Sequence, residues 1–235
     1  MKLLVVAGPP SCGKTAVVKQ IIKNTRTSRQ IAYLKIDVTR AFEDEELRRE
    51  FNIPTKKVYS GDLCPDHASV MVMKDAIEWA KEEQADILIV ESAGLCLRCS
   101  PYTTQSLGMV VTSAVSGINT PLKMAPMIAL ADVAVVTRID LVSQAEKEVF
   151  RERIKEVNAD IDIIETNAVQ GTGMRYLLRA IDECPDIHDP DTITLRGAPP
   201  LGVCTICIGK TEIGWQNHFG VIRTLDGADY LYRGD

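Results

Sequence analysis

Apolar residues follow two alternating rhythms along this chain. Short continuous runs, mostly aliphatic and rich in β-branched residues, occupy 2–7, 31–37, 87–91, 109–115, 133–137 and 162–164, and they predict β-strands. Unbroken apolar runs, as opposed to strict alternation, are what parallel strands covered on both faces require. Between them, apolar positions recur at helical spacing over 14–23, 43–51, 66–81, 143–157 and 173–182. In the fourth of these, Ala145, Val149, Phe150, Ile154 and Val157 form one stripe on an otherwise charged segment. Strand–helix alternation of this kind predicts an α/β fold, a doubly wound and mostly parallel sheet with right-handed crossovers.

The rhythm breaks near position 184. Cys184-Pro185-Asp186 and Asp189-Pro190-Asp191 end the last helical segment, and Ala198-Pro199-Pro200 precedes two β-like runs at 202–208 and 219–224. The expected organisation is a main domain over 1–190 and a small C-terminal β appendage over 191–235. A chain of 235 residues is long enough to bury its apolar surface without staples. Net charge is −5, from 27 basic and 32 acidic residues with no dense basic run, which argues against nucleic acid or a polybasic membrane anchor. No apolar run approaches the roughly 18 residues that span a bilayer. Residues 1–7 are too short for a secretory signal and run straight into a glycine-rich turn, so a cytoplasmic location is expected.

That turn carries the first chemistry. Gly8-Pro9-Pro10-Ser11-Cys12-Gly13-Lys14-Thr15 fits G-x-x-x-x-G-K-[ST] between a strand and a helix, which makes it a P-loop. The backbone N–H groups of such a loop, with the helix N-terminus, cradle phosphate oxygens. Lys14 is placed to reach the β- and γ-phosphates, and the Thr15 hydroxyl to bind Mg²⁺. A plain strand–helix turn would explain the glycines but not the Lys-Thr pair. Asp37 and Glu91 end later strands, where ligands bind in open α/β sheets, and either carboxylate suits a Mg²⁺ water shell or the attacking water. Each would otherwise be a strand-end cap. Gly94 follows Glu91 closely enough for bare backbone to approach a γ-phosphate and to respond to its loss.

Base selection points to Thr137-Arg138-Ile139-Asp140, which follows the run 133–137 and resembles the guanine-reading Asn-Lys-x-Asp of GTPases, with Thr137 in place of Asn. Asp140 would accept two hydrogen bonds from guanine, and the Arg138 stem would cover one face of the base. Asn167 and Ala168, after the next strand, stand where a backbone N–H reads the guanine carbonyl.

The order of motifs resembles the nickel-insertion GTPases of hydrogenase and urease maturation over about residues 1–182. It comprises the P-loop, Asp37-Val38-Thr39, Glu91-Ser92-Ala93-Gly94, Pro121-Leu122-Lys123, Thr137–Asp140 and Gly171-Thr172-Gly173-Met174. It also includes Cys64-Pro65-Asp66-His67, where one extra residue separates Pro65 from the histidine. The resemblance implies a homodimeric, GTP-hydrolysing metallochaperone that passes Ni²⁺, or a related metal centre, to a client metalloenzyme. It also implies Cys64 and His67 as Ni²⁺ or Zn²⁺ ligands shared across the dimer. On the residues alone, a thiolate and an imidazole three apart are either two ligands or a small buried residue and a helix-terminal polar group.

Two Cys-x-x-Cys pairs, Cys96/Cys99 and Cys204/Cys207, depart from that pattern. Four thiolates match a structural Zn²⁺ site or an iron–sulfur cluster, and a redox dithiol or simple packing also fits. The pairs lie far apart in sequence, so their convergence on one site is an expectation about space. The alternatives to the metallochaperone are an iron–sulfur carrier or assembly NTPase, a signalling GTPase with structural zinc, and, more remotely, an adenine-nucleotide kinase.

Overall fold

The computed structural model describes residues 1–38, 41–61, 63–94, 99–197, 209–223 and 229–231. In chain order the elements are β1 (Lys2–Ala7), α1 (Lys14–Thr25), β2 (Ile31–Asp37), α2 (Glu43–Phe51), β3 (Thr55–Tyr59), α3 (Pro65–Glu82), β4 (Ile87–Glu91), β5 (Leu107–Ser113), the short α4 (Thr120–Lys123) and α5 (Ala125–Ala129), β6 (Val133–Thr137), α6 (Gln144–Val157), β7 (Asp162–Glu165), α7 (Met174–Glu183), β8 (Val221–Arg223) and β9 (Asp229–Leu231).

The sheet order is β7-β6-β5-β1-β4-β2-β3-β8-β9, and β1 to β7 are all parallel. Side-chain alternation along the strands feeds two cores, one on each face. Leu3, Val5, Leu34 and Val90 point to the side covered by α3, α5 and α6, where Met71, Ile77, Met127, Phe150 and Ile154 pack. Leu4, Val6, Tyr33 and Ile89 point to the other side, covered by α1, α2 and α7 through Val17, Ile21, Leu47 and Leu177. Tyr33, Lys35 and Asp37 share this second face by period-2 geometry, and so do Ile87, Ile89 and Glu91. Lys35 and Glu91 are register partners across β2 and β4.

The doubly wound parallel sheet expected from the pattern is therefore present, and its differences from the pattern have physical reasons. Thr55–Tyr59 reads too short and too charged to register as a strand, yet it pairs in parallel with β2 and forms the edge to which β8 adds antiparallel at Tyr59 and Arg223. Strand β5 starts earlier than the apolar run suggested and stops at Ser113, where Ala114–Ser116 tightens into a 3₁₀ turn. Pro121 and Pro126 stand in the first turns of α4 and α5, helices of 4 and 5 residues, too short for a helical period to develop. On α6 the stripe narrows, with Phe150 and Ile154 buried but Val149 exposed. The expected run 202–208 lies outside the described residues.

Cys184 reads as a linker residue but is buried in the second core. Beyond it, Ile193, Leu195 and Ile213 join the first core. Arg196 clasps this segment to the domain. It forms a bidentate ion pair with Asp132 at 2.7 Å and donates to Thr103 O at 2.9 Å, Leu130 O at 3.1 Å and Ser106 O. Charge-assisted bonds to backbone carbonyls are individually strong, and truncation strands those carbonyls. Arg196→Ala should lower unfolding free energy by about 2–3 kcal/mol in urea titration. A loss below about 0.5 kcal/mol, the size of an ordinary surface change, would show the clasp to be incidental.

Candidate functional site

The P-loop leaves β1 at Ala7 and enters α1 at Lys14, at the C-terminal end of the central strand where open α/β sheets bind ligands. Close backbone approach shapes it. Gly94 has φ +70°, and a Cβ there would fall 1.6 Å from Gly8 O. The segment after β4 therefore rests directly on the start of the P-loop. Lys14 is buried and donates to Gly8 O at 2.9 Å, Pro9 O at 3.0 Å and Ala93 O at 3.5 Å. These carbonyls hold its ammonium at the mouth of the loop.

Beside it lies Glu91, 1% exposed. Its Oε1 accepts from Thr15 Oγ1 at 2.9 Å and from Lys35 Nζ at 2.8 Å, and its Oε2 accepts from the Tyr33 hydroxyl at 2.9 Å. Lys35 also lies 3.6 Å from Asp37 and 3.7 Å from Glu43. Burial disfavours the Lys35 ammonium, but Glu91, Glu43 and Asp37 outweigh that and raise its pKa. Burial and then the Glu91 carboxylate push the Tyr33 phenol well above its ordinary range. Pro10, Ser11, Gly13, Lys14, Thr15 and these acids line a cavity of about 570 Å³. Its donor set, a threonine hydroxyl and carboxylates, consists of hard oxygens and fits Mg²⁺. The expected Thr15, Asp37 and Glu91 are thus brought together. Tyr33, Lys35 and Glu43 are additions, and a lysine two residues before Asp37 inside a doubly covered strand was the available signal.

A second cavity of about 440 Å³ adjoins the first through Gly13, Ala16 and Arg138, and it is lined further by Thr137, Asp140, Asn167 and Ala168. Thr137 Oγ1 donates to Cys12 O at 2.7 Å, so a hydroxyl ties the end of β6 to the P-loop. Arg138 sits at φ +55° and donates to Ser113 Oγ at 3.1 Å, while Asp140 is exposed at the rim. Asn167 Oδ1 accepts from Val169 N at 3.0 Å and Gln170 N at 3.2 Å, which spends its side chain on shaping the loop. Cys12 is buried, and its thiol pKa is raised by burial.

Immediately after Glu91, at the same end of β4, Ser92 Oγ donates to Asp66 Oδ1 at 3.0 Å, joining the strand that carries Glu91 to the first turn of α3. Cys64 caps α3 and is half-buried. His67 is 2% exposed beneath the chain's own C-terminal segment, its ring edge-on to buried His218 at a centroid distance of 5.4 Å. Among the described residues its Nε2 meets no hydrogen-bond partner, whereas His218 Nε2 lies 2.6 Å from Glu212 O and donates to it. Burial, reinforced by His218, lowers the His67 pKa to about 4. Of the paired cysteines, Cys99 is buried, and Cys96, Cys204 and Cys207 lie outside the described residues. No group of three His, Cys, Asp or Glu side chains poised for a metal ion occurs among the described residues. No helix among them is long and apolar enough to cross a membrane.

Comparison with known proteins agrees with this geometry. The family described as "CobW/HypB/UreG, nucleotide-binding domain" matches residues 2–165. An uncharacterized protein of Methanocaldococcus jannaschii is 41% identical over 232 residues, covering 97% of both chains. The urease accessory protein UreG of a Mycobacterium species is 26% identical over 182 residues, 72% of each chain. Among solved structures, the hydrogenase maturation factor HypB of Archaeoglobus fulgidus superposes with a TM-score of 0.63 at 21% identity, covering 78% of this chain and 89% of its own. HypB of Helicobacter pylori in complex with nickel gives 0.62 at 17% identity, covering 80% and 91%.

Two predictions follow from the side chains. Thr137→Val removes the donor to Cys12 O and should weaken nucleotide binding about tenfold, while Thr137→Ser retains it; isothermal titration distinguishes them. For His67, a folded pKa of about 4 lies below the ordinary 6.5, so the unfolded chain binds more protons between these values. Stability of metal-free protein should then fall as pH drops from 6.5 toward 4, by up to about 1.4 kcal/mol per pH unit, and His67→Asn should flatten the slope. Urea midpoints across that range that are identical for both proteins would contradict this.

Proposed function

The chain belongs to the CobW/HypB/UreG family, and from that premise we propose that it is a GTP-hydrolysing maturation factor that delivers nickel, or a related metal centre, to a client metalloenzyme. Residues 1–190 serve as the nucleotide domain and 191–235 as a C-terminal appendage. The observation that carries the reading is the continuity of the phosphate cleft with a pocket rimmed by Asp140, through the shared residues Gly13, Ala16 and Arg138. Phosphates bind along residues 8–15, with Lys14 turning from the loop carbonyls to the β- and γ-oxygens. Mg²⁺ binds through Thr15, with Asp37 and Glu91 on its water shell. Asp140 reads guanine, Arg138 covers the base, and the backbone at Asn167 and Ala168 meets its carbonyl.

Metal is the cargo in this reading, and Cys64 and His67 are its first candidate ligands. HypB of Helicobacter pylori was solved with nickel, which supports the choice of ion. His67 is reached only when the segment around His218 lifts, so loading is coupled to movement of the C-terminal segment. The Ser92–Asp66 hydrogen bond gives loss of γ-phosphate a route from Glu91 to Cys64. Cys96 and Cys99 follow Gly94 closely and, with Cys204 and Cys207, supply further thiolates. A homodimer, pairing two Cys64/His67 sets about a two-fold axis, would complete a four-ligand site.

Asp140→Ala should cost about 100-fold in GTP affinity and leave the weaker ATP affinity unchanged, because two charge-assisted hydrogen bonds are lost only with guanine. Equal losses for both nucleotides would refute the base assignment. Anaerobic metal analysis of purified protein with and without GTP tests the cargo. Colourless protein that gains Ni²⁺ or Zn²⁺ with GTP supports metal delivery. A brown protein with visible absorbance favours the cluster carrier, and one tight zinc indifferent to GTP favours a signalling switch.

A further inference from the structure

Among the described residues, Lys35 is the one lysine whose ammonium is both buried in the phosphate cleft and surrounded by acids. Its side chain is 4% exposed, with Glu91 at 2.8 Å, Asp37 at 3.6 Å and Glu43 at 3.7 Å. Thr15 Oγ1 donates to the same oxygen of Glu91 that Lys35 holds. Of the other cations lining this cavity, Lys14 is directed at the carbonyls of Gly8, Pro9 and Ala93, and Arg138 donates to Ser113 Oγ. Lys35 thus alone faces three carboxylates at the place where a divalent ion would meet Thr15 and Glu91. Its position is fixed by the sheet, since Lys35 and Glu91 are register partners, and it is not chosen by a mobile surface rotamer.

We propose that Lys35 is a tethered counter-ion that holds the Glu91–Asp37–Glu43 cluster against free divalent cations, so that a metal ion enters this cleft only together with a nucleotide. The inference rests on reading the cleft as a Mg·nucleotide site. A trio of clustered carboxylates, one buried and two half-buried, would recruit a divalent ion if it lacked a cation, and among divalent ions oxygen ligands favour transition metals over Mg²⁺. The Lys35 ammonium supplies the missing charge without offering a ligand. An arriving triphosphate changes the balance in two ways. Its oxygens add ligands for the incoming Mg²⁺, and its negative charge gives Lys35 a new partner within the cavity. In a protein that handles a transition metal, the effect is selectivity: cargo ions are kept off the oxygen site that Mg²⁺ needs.

The test is Mn²⁺ binding to the full-length, nucleotide-free protein, followed by electron paramagnetic resonance, with Mn²⁺ chosen because it prefers oxygen over thiolate ligands. Wild-type protein should bind no Mn²⁺ below about 1 mM without nucleotide, and should bind one with GDP or GTP. Lys35→Met should bind Mn²⁺ without nucleotide about tenfold or more tightly than wild type, and adding Glu91→Gln should abolish the gain. Lys35→Gln is the second variant should the first fail to fold, and the wild-type titration decides if neither folds. Nucleotide-free wild-type protein that binds Mn²⁺ as tightly as the nucleotide complex, or a folded Lys35 variant with no gain, overturns the proposal. Wild-type protein that takes up no Mn²⁺ even with nucleotide overturns the reading of the cleft itself, which separates the two failures.

Discussion

A carboxylate buried at the end of a central strand is the constraint around which this molecule is organised. Glu91 is 1% exposed, and an ionised group in such a position is tolerated only when its oxygens are filled. Here they are filled from two elements: Thr15 on α1, and Tyr33 and Lys35 on β2. The same contacts align the P-loop helix with the strand ends and place every hard-oxygen donor of the cleft on one face of the sheet. Breaking one partner away from Glu91 therefore disturbs stability and the site together, and such a residue is expected to yield only to an incoming ion or phosphate.

From that centre, two short links reach the rest of the machinery. Thr137 joins the second cavity, the proposed base pocket, to the P-loop through Cys12 O, although a shorter side chain stands where the resemblance expects asparagine. Ser92, next to Glu91, joins the strand to Asp66 on the first turn of α3, between Cys64 and His67. Glu91 and Cys64 are separated by a few packed residues and not by the width of the domain, which is the physical condition for coupling the proposed nucleotide and metal sites.

Much of the fold was legible because its signals are local. Continuous aliphatic runs mark β1, β2, β4 and β6, and the glycine spacing with Lys14-Thr15 marks the loop between β1 and α1. Signals that depend on distant packing were not legible. Thr55–Tyr59 becomes a strand because β2 and β8 flank it, and its own pattern is too polar to announce that. Lys35 reads as an ordinary strand lysine until its register partner is known. His67 reads as an open helix-terminal ligand, yet residues some 150 positions later bury it, with His218 against its ring. The paired cysteines are equally non-local, since their meaning depends on whether 96–99 and 204–207 meet in space.

The central claim is that nucleotide state controls metal affinity. Its most direct test is an anaerobic Ni²⁺ titration of the protein locked with a non-hydrolysable GTP analogue and Mg²⁺, compared with the GDP form. The account predicts a change in Ni²⁺ affinity of about tenfold or more between the two states, the range of ordinary allosteric coupling, and loss of that difference in Cys64→Ser. Identical Ni²⁺ affinities in the two states would contradict it.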